Sequence, residues 1–328
     1  MSGHRGAVLS VGIPTYNRSK LLRRALTGVV NQTLENIEIW VLDNASTDDT
    51  ADVVASFHDD RIHYVRNETN IGHRANATAA LRAGSAPYVA LLFDDDEMYP
   101  SNLERKVEML DRYPGAVVAH GAYDLVRLDG ATEPKVLPEA ADVCLYYESG
   151  HSFIQRSFRE PCRIWISSAV ARRDAIEGLG FFERFAPADD HRIWLDLATR
   201  GDVVYDSTPR STLSVTPGMS TGNEYLNVHD GRYVPNLNTV RAALRVMRSF
   251  TAEHKMRPDD RARLWWLSHR YAHGNIPVII RRNNPGLRPL RASIAQVRSA
   301  VRIDPTILLN PKIYAKLALE AVGMHELR

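Results

Sequence analysis

Cysteine is scarce: the 328 residues include only two, Cys144 and Cys162. Two thiols make no disulfide framework, so both are expected as buried thiols and the fold must rest on an apolar core. No stretch approaches the roughly 20 apolar residues that a membrane-spanning helix needs. The first residues, Met1 to Ala7, are polar and include Arg5, and no apolar segment of signal-peptide type follows. These absences set the expectation of a cytoplasmic chain that meets a membrane, if at all, peripherally on its inner face. One-signed charge is also missing: the net is +2, which argues against nucleic acid as a partner. There is no Gly-rich phosphate loop, Gly-x-Gly-x-x-Gly turn or His-Glu-x-x-His pair. The usual marks of P-loop kinases, dehydrogenases and zinc proteases are therefore absent.

What is present is unevenly distributed. From Arg241 to Arg328 there are 17 Lys and Arg against 6 Asp and Glu, a net of +11, which leaves −9 on the preceding part. An acidic body suits a cation site facing a nucleotide, and a basic tail suits an anionic partner. The body opens with an apolar run, Val8 to Ile13, that reads as a buried strand, and a helix follows over Lys20 to Gln32. Ile37 to Leu42 and Ile62 to Val65 read as further strands, with a helix over Asp49 to Phe57 between them. The turn Asn70-Ile71-Gly72 leads to a helix over Ala75 to Ala83, then to a fourth strand, Tyr88 to Phe93. Strand–helix alternation at this spacing predicts a mostly parallel sheet covered by helices. Ligands of such sheets bind at the carboxyl ends of the strands. Thr15-Tyr16-Asn17, Asp43, Asn67 to Asn70 and Asp94 to Asp96 end the four strands and should converge on one crevice.

Beyond this point the pattern is mixed. Leu103 to Tyr113 predicts a helix, Val117 to Val126 a strand, Leu128 to Val143 a loop and Ile164 to Arg172 a strand. A short helix over Arg173 to Leu179, a helix over Ala188 to Arg200 and a short strand over Val203 to Tyr205 follow. From about Asn238 the chain reads as helical and basic, broken near Asn283-Asn284-Pro285 and Pro305. The expected divisions are a flexible N-terminus over 1–7, a catalytic domain over 8–237 and a basic helical extension over 238–328. The catalytic domain divides into a nucleotide half, 8–115, and an acceptor half, 116–237.

Asp94-Asp95-Asp96 carries the most chemistry. Three adjacent carboxylates repel one another unless a cation lies between them. Mg²⁺ and Mn²⁺ take oxygen ligands and are commonly shared between one or two carboxylates and substrate phosphates. Asp43 could meet the base or sugar of a nucleotide, or could cap the helix after it. Asp189 and Asp190 open a helix; one could cap it while the other acts as a general base on an acceptor hydroxyl. His151, His191 and His229 have no partner at metal-ligand spacing. Trp40 and Trp194 read as core, and Trp165 is the Trp considered for stacking on an acceptor.

Together these segments resemble family 2 glycosyltransferases, which have the GT-A fold. The similarity rests on Val8-Leu9-Ser10-Val11-Gly12-Ile13-Pro14-Thr15-Tyr16-Asn17-Arg18 and on Ile39-Trp40-Val41-Leu42-Asp43-Asn44-Ala45-Ser46-Thr47-Asp48. The Asn70-Ile71-Gly72 turn, the aspartate run, Leu179-Gly180-Phe181-Phe182-Glu183 and Ala188-Asp189-Asp190-His191-Arg192-Ile193-Trp194-Leu195 complete it. The resemblance implies an α/β fold of GT-A type, with a Rossmann-like, mostly parallel sheet flanked by helices and a C-terminal helical extension. It implies that Pro14, Thr15, Tyr16, Asn17 and Asn70 line a nucleotide pocket and that Asp43 accepts a hydrogen bond from the base. Asp96 would hold a divalent cation, Mn²⁺ or Mg²⁺, with Asp94 as a second ligand, and Asp94 or Asp95 would face the ribose. Asp190 would be the base of an inverting transfer, beside Asp189 where many members have Glu. Thr216 stands where many members carry a diphosphate-binding His, and His229 is a weak substitute.

The expected partners are a nucleoside diphosphate sugar, a UDP-sugar above all, and a glycan or lipid-linked acceptor in polysaccharide, envelope-glycan or glycolipid synthesis. Two readings of the basic helices stay open: peripheral membrane contact, or a cap packed on the catalytic domain or on another subunit of a homo-oligomer. A nucleotidyltransferase would need a Gly-rich, basic loop after the first strand, where Pro14-Thr15-Tyr16-Asn17-Arg18 stands. A degenerate family member acting as a sugar-nucleotide-binding or scaffold subunit is the remaining alternative.

Overall fold

A computed structural model describes residues 6–127, 135–138, 145–159, 164–180, 189–215, 226–229, 232–235, 237–282, 297–298 and 300–301. The expectations for most of 1–7, for Cys144, Cys162 and Thr216, and for the breaks near 283–285 and 305 lie outside these residues. Tertiary contacts divide the chain into two units, Met1–Ile154 with Cys162–Pro217, and Gln155–Pro161 with Gly218–Arg328.

The first unit begins with β1 (Leu9–Thr15), α1 (Ser19–Val30), β2 (Ile37–Asp43), α2 (Thr50–Ala55), β3 (Ile62–Arg66), α3 (His73–Arg82), β4 (Tyr88–Leu91) and α4 (Asn102–Arg112). Every residue of β1 is buried. That is what a central strand covered on both faces requires, and it explains the continuous apolar run. β1 pairs in parallel with both β2 and β4, and β2 with β3. Leu22, Ala25, Leu26 and Val29 of α1 pack on one face, with Leu103 and Leu110 of α4. Ala77 and Ala80 of α3 lie on the other. Here the helix comes so close that a Cβ at Gly12 would collide with the carbonyl of Ala80.

The second half adds β5 (Ala116–Arg127), β6 (Lys135–Pro138), β7 (Leu145–Glu148), α5 (Gly150–Ser157), β8 (Ala169–Arg172), α6 (Arg173–Ile176), α7 (Asp189–Ala198) and β9 (Asp202–Val215). The sheet order is β3-β2-β1-β4-β8-β5-β9-β7, with β6 on β5. The parallel character expected of the whole sheet holds for β1 to β4 and for β5 with β9. β8 is antiparallel to both its neighbours, as is β7 to β9 and β6 to β5. Connections without the strand–helix rhythm of the first half make these pairings, so the rhythm could not extend to them.

Three local expectations change. Residues 164–172 are not one strand: Ile166–Ser168 form a 3₁₀ turn before β8. The Ser168 hydroxyl donates to the Trp165 carbonyl at 2.8 Å and competes with the ladder. The short strand expected at 203–205 extends over 14 residues, because β9 stays paired with β5 through a register shift between Gly121 and Tyr123. A strand also forms at Lys135–Pro138, inside the segment read as loop.

Lys106 is fully enclosed on α4 and donates to Asn102 Oδ1. Burial pushes its ammonium down to about 7, partly opposed by the Asp206 carboxylate. The unfolded chain, with a lysine pKa of about 10.4, therefore holds more protons than the folded one between pH 7 and 10. Stability from this group accordingly rises with pH across that window. Lys106→Met is expected to raise the thermal midpoint at pH 7 by roughly 2–4 °C or more and to flatten the rise up to pH 10. An unchanged pH slope of the midpoint would contradict the assignment.

The second unit contains the hairpin β10 (Leu226–His229) and β11 (Arg232–Pro235), which the sequence did not announce, then α8 (Leu237–Glu253) and α9 (Pro258–Arg282). Val240, Leu244, Met247 and Phe250 of α8 are buried, as are Leu264, Leu267 and Tyr271 of α9. Phe158 packs on Phe250 with ring centroids 6.1 Å apart.

Candidate active site

The strand ends meet as their register dictates. Thr15 is level with Asp43, and Asp43 with Arg66, across the parallel ladder. The loop after β1 turns at Asn17, which adopts the left-handed region at φ 53°. Its peptide N–H donates to Ser46 Oγ at 2.9 Å, and its Oδ1 accepts the Thr47 N–H at 2.7 Å. Asp48 clasps the same two loops, accepting the Ser19 N–H at 3.0 Å and the Thr50 N–H at 3.2 Å.

Asp43 is fully buried. Its Oδ1 accepts the Ser46 N–H at 2.9 Å, and its Oδ2 accepts the Tyr64 hydroxyl at 2.6 Å and lies 3.5 Å from Arg66 Nε. Asp43 thus does not cap α2, whose first turn is bonded by Asp48. Tyr64 and Arg66, at the end of β3, were not singled out in the sequence, although their place beside Asp43 follows from strand order. Burial and the Asp43 carboxylate push the Tyr64 hydroxyl pKa up.

An asparagine ladder fixes the next loop. Asn44 donates to Asn70 Oδ1 at 2.8 Å, and Asn44 Oδ1 accepts from Asn67 Nδ2 at 3.1 Å and from the Ile71 N–H at 2.9 Å. Asn70 Oδ1 also accepts the Gly72 N–H at 2.8 Å, and Gly72 has φ 88°, open to glycine at little cost. Tyr16 and Ile71, on the loops that follow β1 and β3, remain exposed.

The acidic run splits three ways. Asp94 turns to the first strand: its Oδ2 accepts Thr15 Oγ1 at 2.8 Å, and Arg18 Nη1 lies 3.1 Å from its Oδ1. Asp95 is the most open of the three and lies 3.4 Å from the same guanidinium. Asp96 turns the other way and is buried. Its Oδ2 accepts Trp165 Nε1 at 2.8 Å and Ser167 Oγ at 2.6 Å, and its Oδ1 accepts the Ser214 N–H at 2.7 Å. The far part of β9 lies against this loop, with the Thr212 N–H donating to the Glu97 carbonyl at 2.8 Å.

All three carboxylates are raised above their ordinary range, by burial first. Asp94 reaches about 6, with the Asp95 charge adding to the effect of burial. Asp95 is raised by burial against the pull of Arg18, and Asp96 is raised well above the usual range by burial and by the charge of Asp95. Asp94 and Asp95 share the Arg18 guanidinium. Carboxylates crowded in this way are the donor type that a divalent cation takes. Among the described residues, no group of three or more His, Cys, Asp or Glu side chains gathers into a cage of its own.

Asp190 lies in the first turn of α7, half-buried, where the helix dipole favours an anion. Its Oδ1 accepts the His191 N–H at 2.8 Å. Trp194, four residues on, donates from Nε1 to the Ile164 carbonyl at 3.1 Å. The segment 164–168 is thereby held by α7 at Ile164 and by Asp96 at Trp165 and Ser167. The half-buried Trp165 ring has Tyr123 beside it, with centroids 6.5 Å apart. His191 is buried, and His151 lies exposed on α5. The side chains of Asp189 and His229 lie outside the described residues.

A sheet covered on both faces, with an acidic crevice at the carboxyl ends of β1, β2 and β4, defines the GT-A class of fold. Residues 10–175 match the family described as Glycosyl transferase family 2. The chain belongs to that family. Over 93 residues it is 41% identical to the GalNAc(5)-diNAcBac-PP-undecaprenol beta-1,3-glucosyltransferase of Campylobacter jejuni, a match that covers 27% of this chain and 30% of that relative. The chain thus spans less than a third of that relative's length. Among solved structures, S. aureus TarS 1–349 in complex with UDP-GlcNAc superposes with a TM-score of 0.59 at 16% identity, over 97% of this chain and 89% of that one. Mannosyltransferase PcManGT of Pyrobaculum calidifontis, in complex with GDP-Man and Mn2+, gives 0.55 at 17% identity, over 98% and 88%. At these identities the structures speak for the fold alone. Among the described residues, no helix is long and apolar enough to cross a membrane.

Proposed function

We propose that this glycosyltransferase moves a sugar from a nucleoside diphosphate sugar, UDP-linked, to a hydroxyl of a lipid-diphosphate-linked glycan, with inversion at the anomeric carbon. The observation that carries the reading is the cluster of Asp94, Asp95 and Asp96 after β4, tied by Thr15 to the ends of β1 and β2 where Asn17 and Asp43 stand. The UDP-GlcNAc bound by TarS and the undecaprenol-linked substrate named for the Campylobacter relative support the choice of donor and acceptor.

Asp96 would hold a Mn²⁺ or Mg²⁺ ion, with Asp95 in place of the expected Asp94 as second carboxylate, because the Asp94 oxygens are turned to Thr15 and Arg18. Such an ion supplies charge neutralisation on the departing diphosphate. Asp96 is kept in one orientation by Trp165, Ser167 and Ser214, which suits a ligand that must be in place before the donor arrives. Asp43, fixed by Tyr64 and Ser46, would accept a hydrogen bond from the base. In the transfer, the acceptor oxygen forms a bond to the anomeric carbon while the bond from that carbon to the diphosphate oxygen breaks. The electron pair leaves with UDP, and Asp190 takes the hydroxyl proton.

The test is nucleotide release by the whole chain with UDP-Glc, UDP-GlcNAc, UDP-Gal and GDP-Man, with and without an undecaprenyl-diphosphate sugar. One UDP-sugar should give acceptor-dependent UDP release that EDTA abolishes and Mn²⁺ or Mg²⁺ restores. Release that ignores EDTA would remove the cation. Failure of every donor to bind would favour a scaffold role.

A further inference from the structure

Among the described residues of the second unit, an aromatic pair stands outside the buried core. Leu264 and Leu267 of α9 turn inward and are buried, but Trp265 and Trp266 between them are 60% and 50% exposed. Successive residues of a helix lie about 100° apart, so side chains four apart share a row. Two adjacent rows, Arg261–Trp265–His269 and Ala262–Trp266–Arg270, therefore form the face opposite Leu264, Leu267 and Tyr271. The Arg270 guanidinium lies over the Trp266 ring, 4.8 Å from its centroid, and the Trp265 and His269 rings are 4.1 Å apart.

Charge narrows what could cover this face. Arg261, Arg263 and Arg270 are exposed on the same helix, and Lys255 and Arg257 are exposed just before it. The acids of the segment are Asp259 and Asp260, in the first turn, and Asp260 is paired with Arg257 at 3.0 Å. A second copy joined by two-fold symmetry would set this cationic patch against itself. An anionic surface meets it with the opposite charge. A phospholipid headgroup layer also provides what two neighbouring Trp side chains need: apolar contact for the rings and acceptors for the indole N–H groups. Arg rather than Lys predominates, and guanidinium binds phosphate through two parallel hydrogen bonds.

We propose that the outward face of α9, with Trp265 and Trp266 as inserting groups, Arg261 and Arg270 as phosphate contacts on it and Arg263 at its edge, docks the protein on an anionic phospholipid surface. The apolar residues of this helix are thus divided: Leu264, Leu267 and Tyr271 hold the unit together, and the tryptophans belong to the lipid. The inference goes beyond the donor reading above and does not depend on it.

Co-sedimentation of the whole chain with vesicles tests it, using phosphatidylcholine alone and phosphatidylcholine with one-third phosphatidylglycerol. Binding is expected only with phosphatidylglycerol, weakening as salt rises. Trp265→Gln with Trp266→Gln should weaken partitioning at least about tenfold, and Arg263→Gln with Arg270→Gln by a similar factor, since each surface cation contributes roughly fivefold. Thermal midpoints near wild type would confirm that both variants fold, and UDP-sugar binding should be unchanged in both. Absence of vesicle binding by wild type at low salt overturns the proposal, as does equal binding by the Trp variant. A Trp variant that changes oligomeric state in the absence of lipid would instead assign the face to a second copy of the chain.

Discussion

Asp190→Asn is expected to lower the rate of sugar transfer about 10²- to 10⁴-fold, the usual contribution of a positioned general base. Asparagine keeps the size of the side chain and keeps Oδ1 as acceptor for the His191 N–H, so the start of α7 should survive. Trp194, Leu195 and Leu197 anchor that helix in the core and do not depend on the charge at its first turn. Only the carboxylate proposed to accept the hydroxyl proton is lost. The thermal midpoint and the affinity for UDP should therefore stay close to wild type while kcat falls. Initial rates at saturating donor and acceptor, measured beside UDP binding, separate these quantities. A variant within threefold of wild type would remove Asp190 from the chemistry.

Asp96→Ala should be the most damaging change in the crevice, because it removes fold and function together. Trp165 Nε1, Ser167 Oγ and the Ser214 N–H all lose their acceptor, Ser167 in a buried place and the other two where they are partly buried. Each unpaired buried donor costs about 1–3 kcal/mol, partly offset here by removal of a carboxylate that burial already disfavours. The net is expected at several kcal/mol, a large share of the 5–15 kcal/mol typical of a folded protein. Asp95→Asn is the control. Asp95 is the more open carboxylate, and its ion pair with Arg18 is long, so unfolding should shift by about 1 kcal/mol or less. Cation-dependent binding of a UDP-sugar should nevertheless weaken strongly in both. Chemical denaturation and donor titration with and without Mn²⁺ measure the two effects. Equal stability of the two variants would mean that the three donors to Asp96 do not hold the crevice together.

Much of this architecture was legible along the chain. β1 to β4 and their helices were expected within a few residues of where they lie, because each is a local pattern: a short apolar run, then a 3.6-residue periodicity, then polar caps. The crevice followed from one rule about where parallel strands end, and that rule brought Thr15, Asp43 and Asp94 level. The rule could not say which way each aspartate of the run would turn. It also passed over Tyr64 and Arg66, since no motif marks them and only the neighbouring strand gives them their role. The second half was less legible because its strands pair against the rhythm. β8 enters antiparallel between β4 and β5, and β9 takes its length from its partner rather than from its own residues.

By itself, then, the sequence determined a covered α/β sheet, an acidic strand end, a second carboxylate pair at a helix start and a basic helical tail. Periodicity and strand-end chemistry are short-range, and a window of a dozen residues contains them. Tertiary structure alone decided that Asp96 would be held by Trp165, Ser167 and Ser214, which lie 69, 71 and 118 residues away. It likewise decided that Leu264 and Leu267 would turn inward and leave Trp265 and Trp266 outside. Both are choices among faces that look alike in the sequence. The contacts that settle them come from distant segments, and the cost of leaving a carboxylate or a leucine without those contacts makes one choice stable.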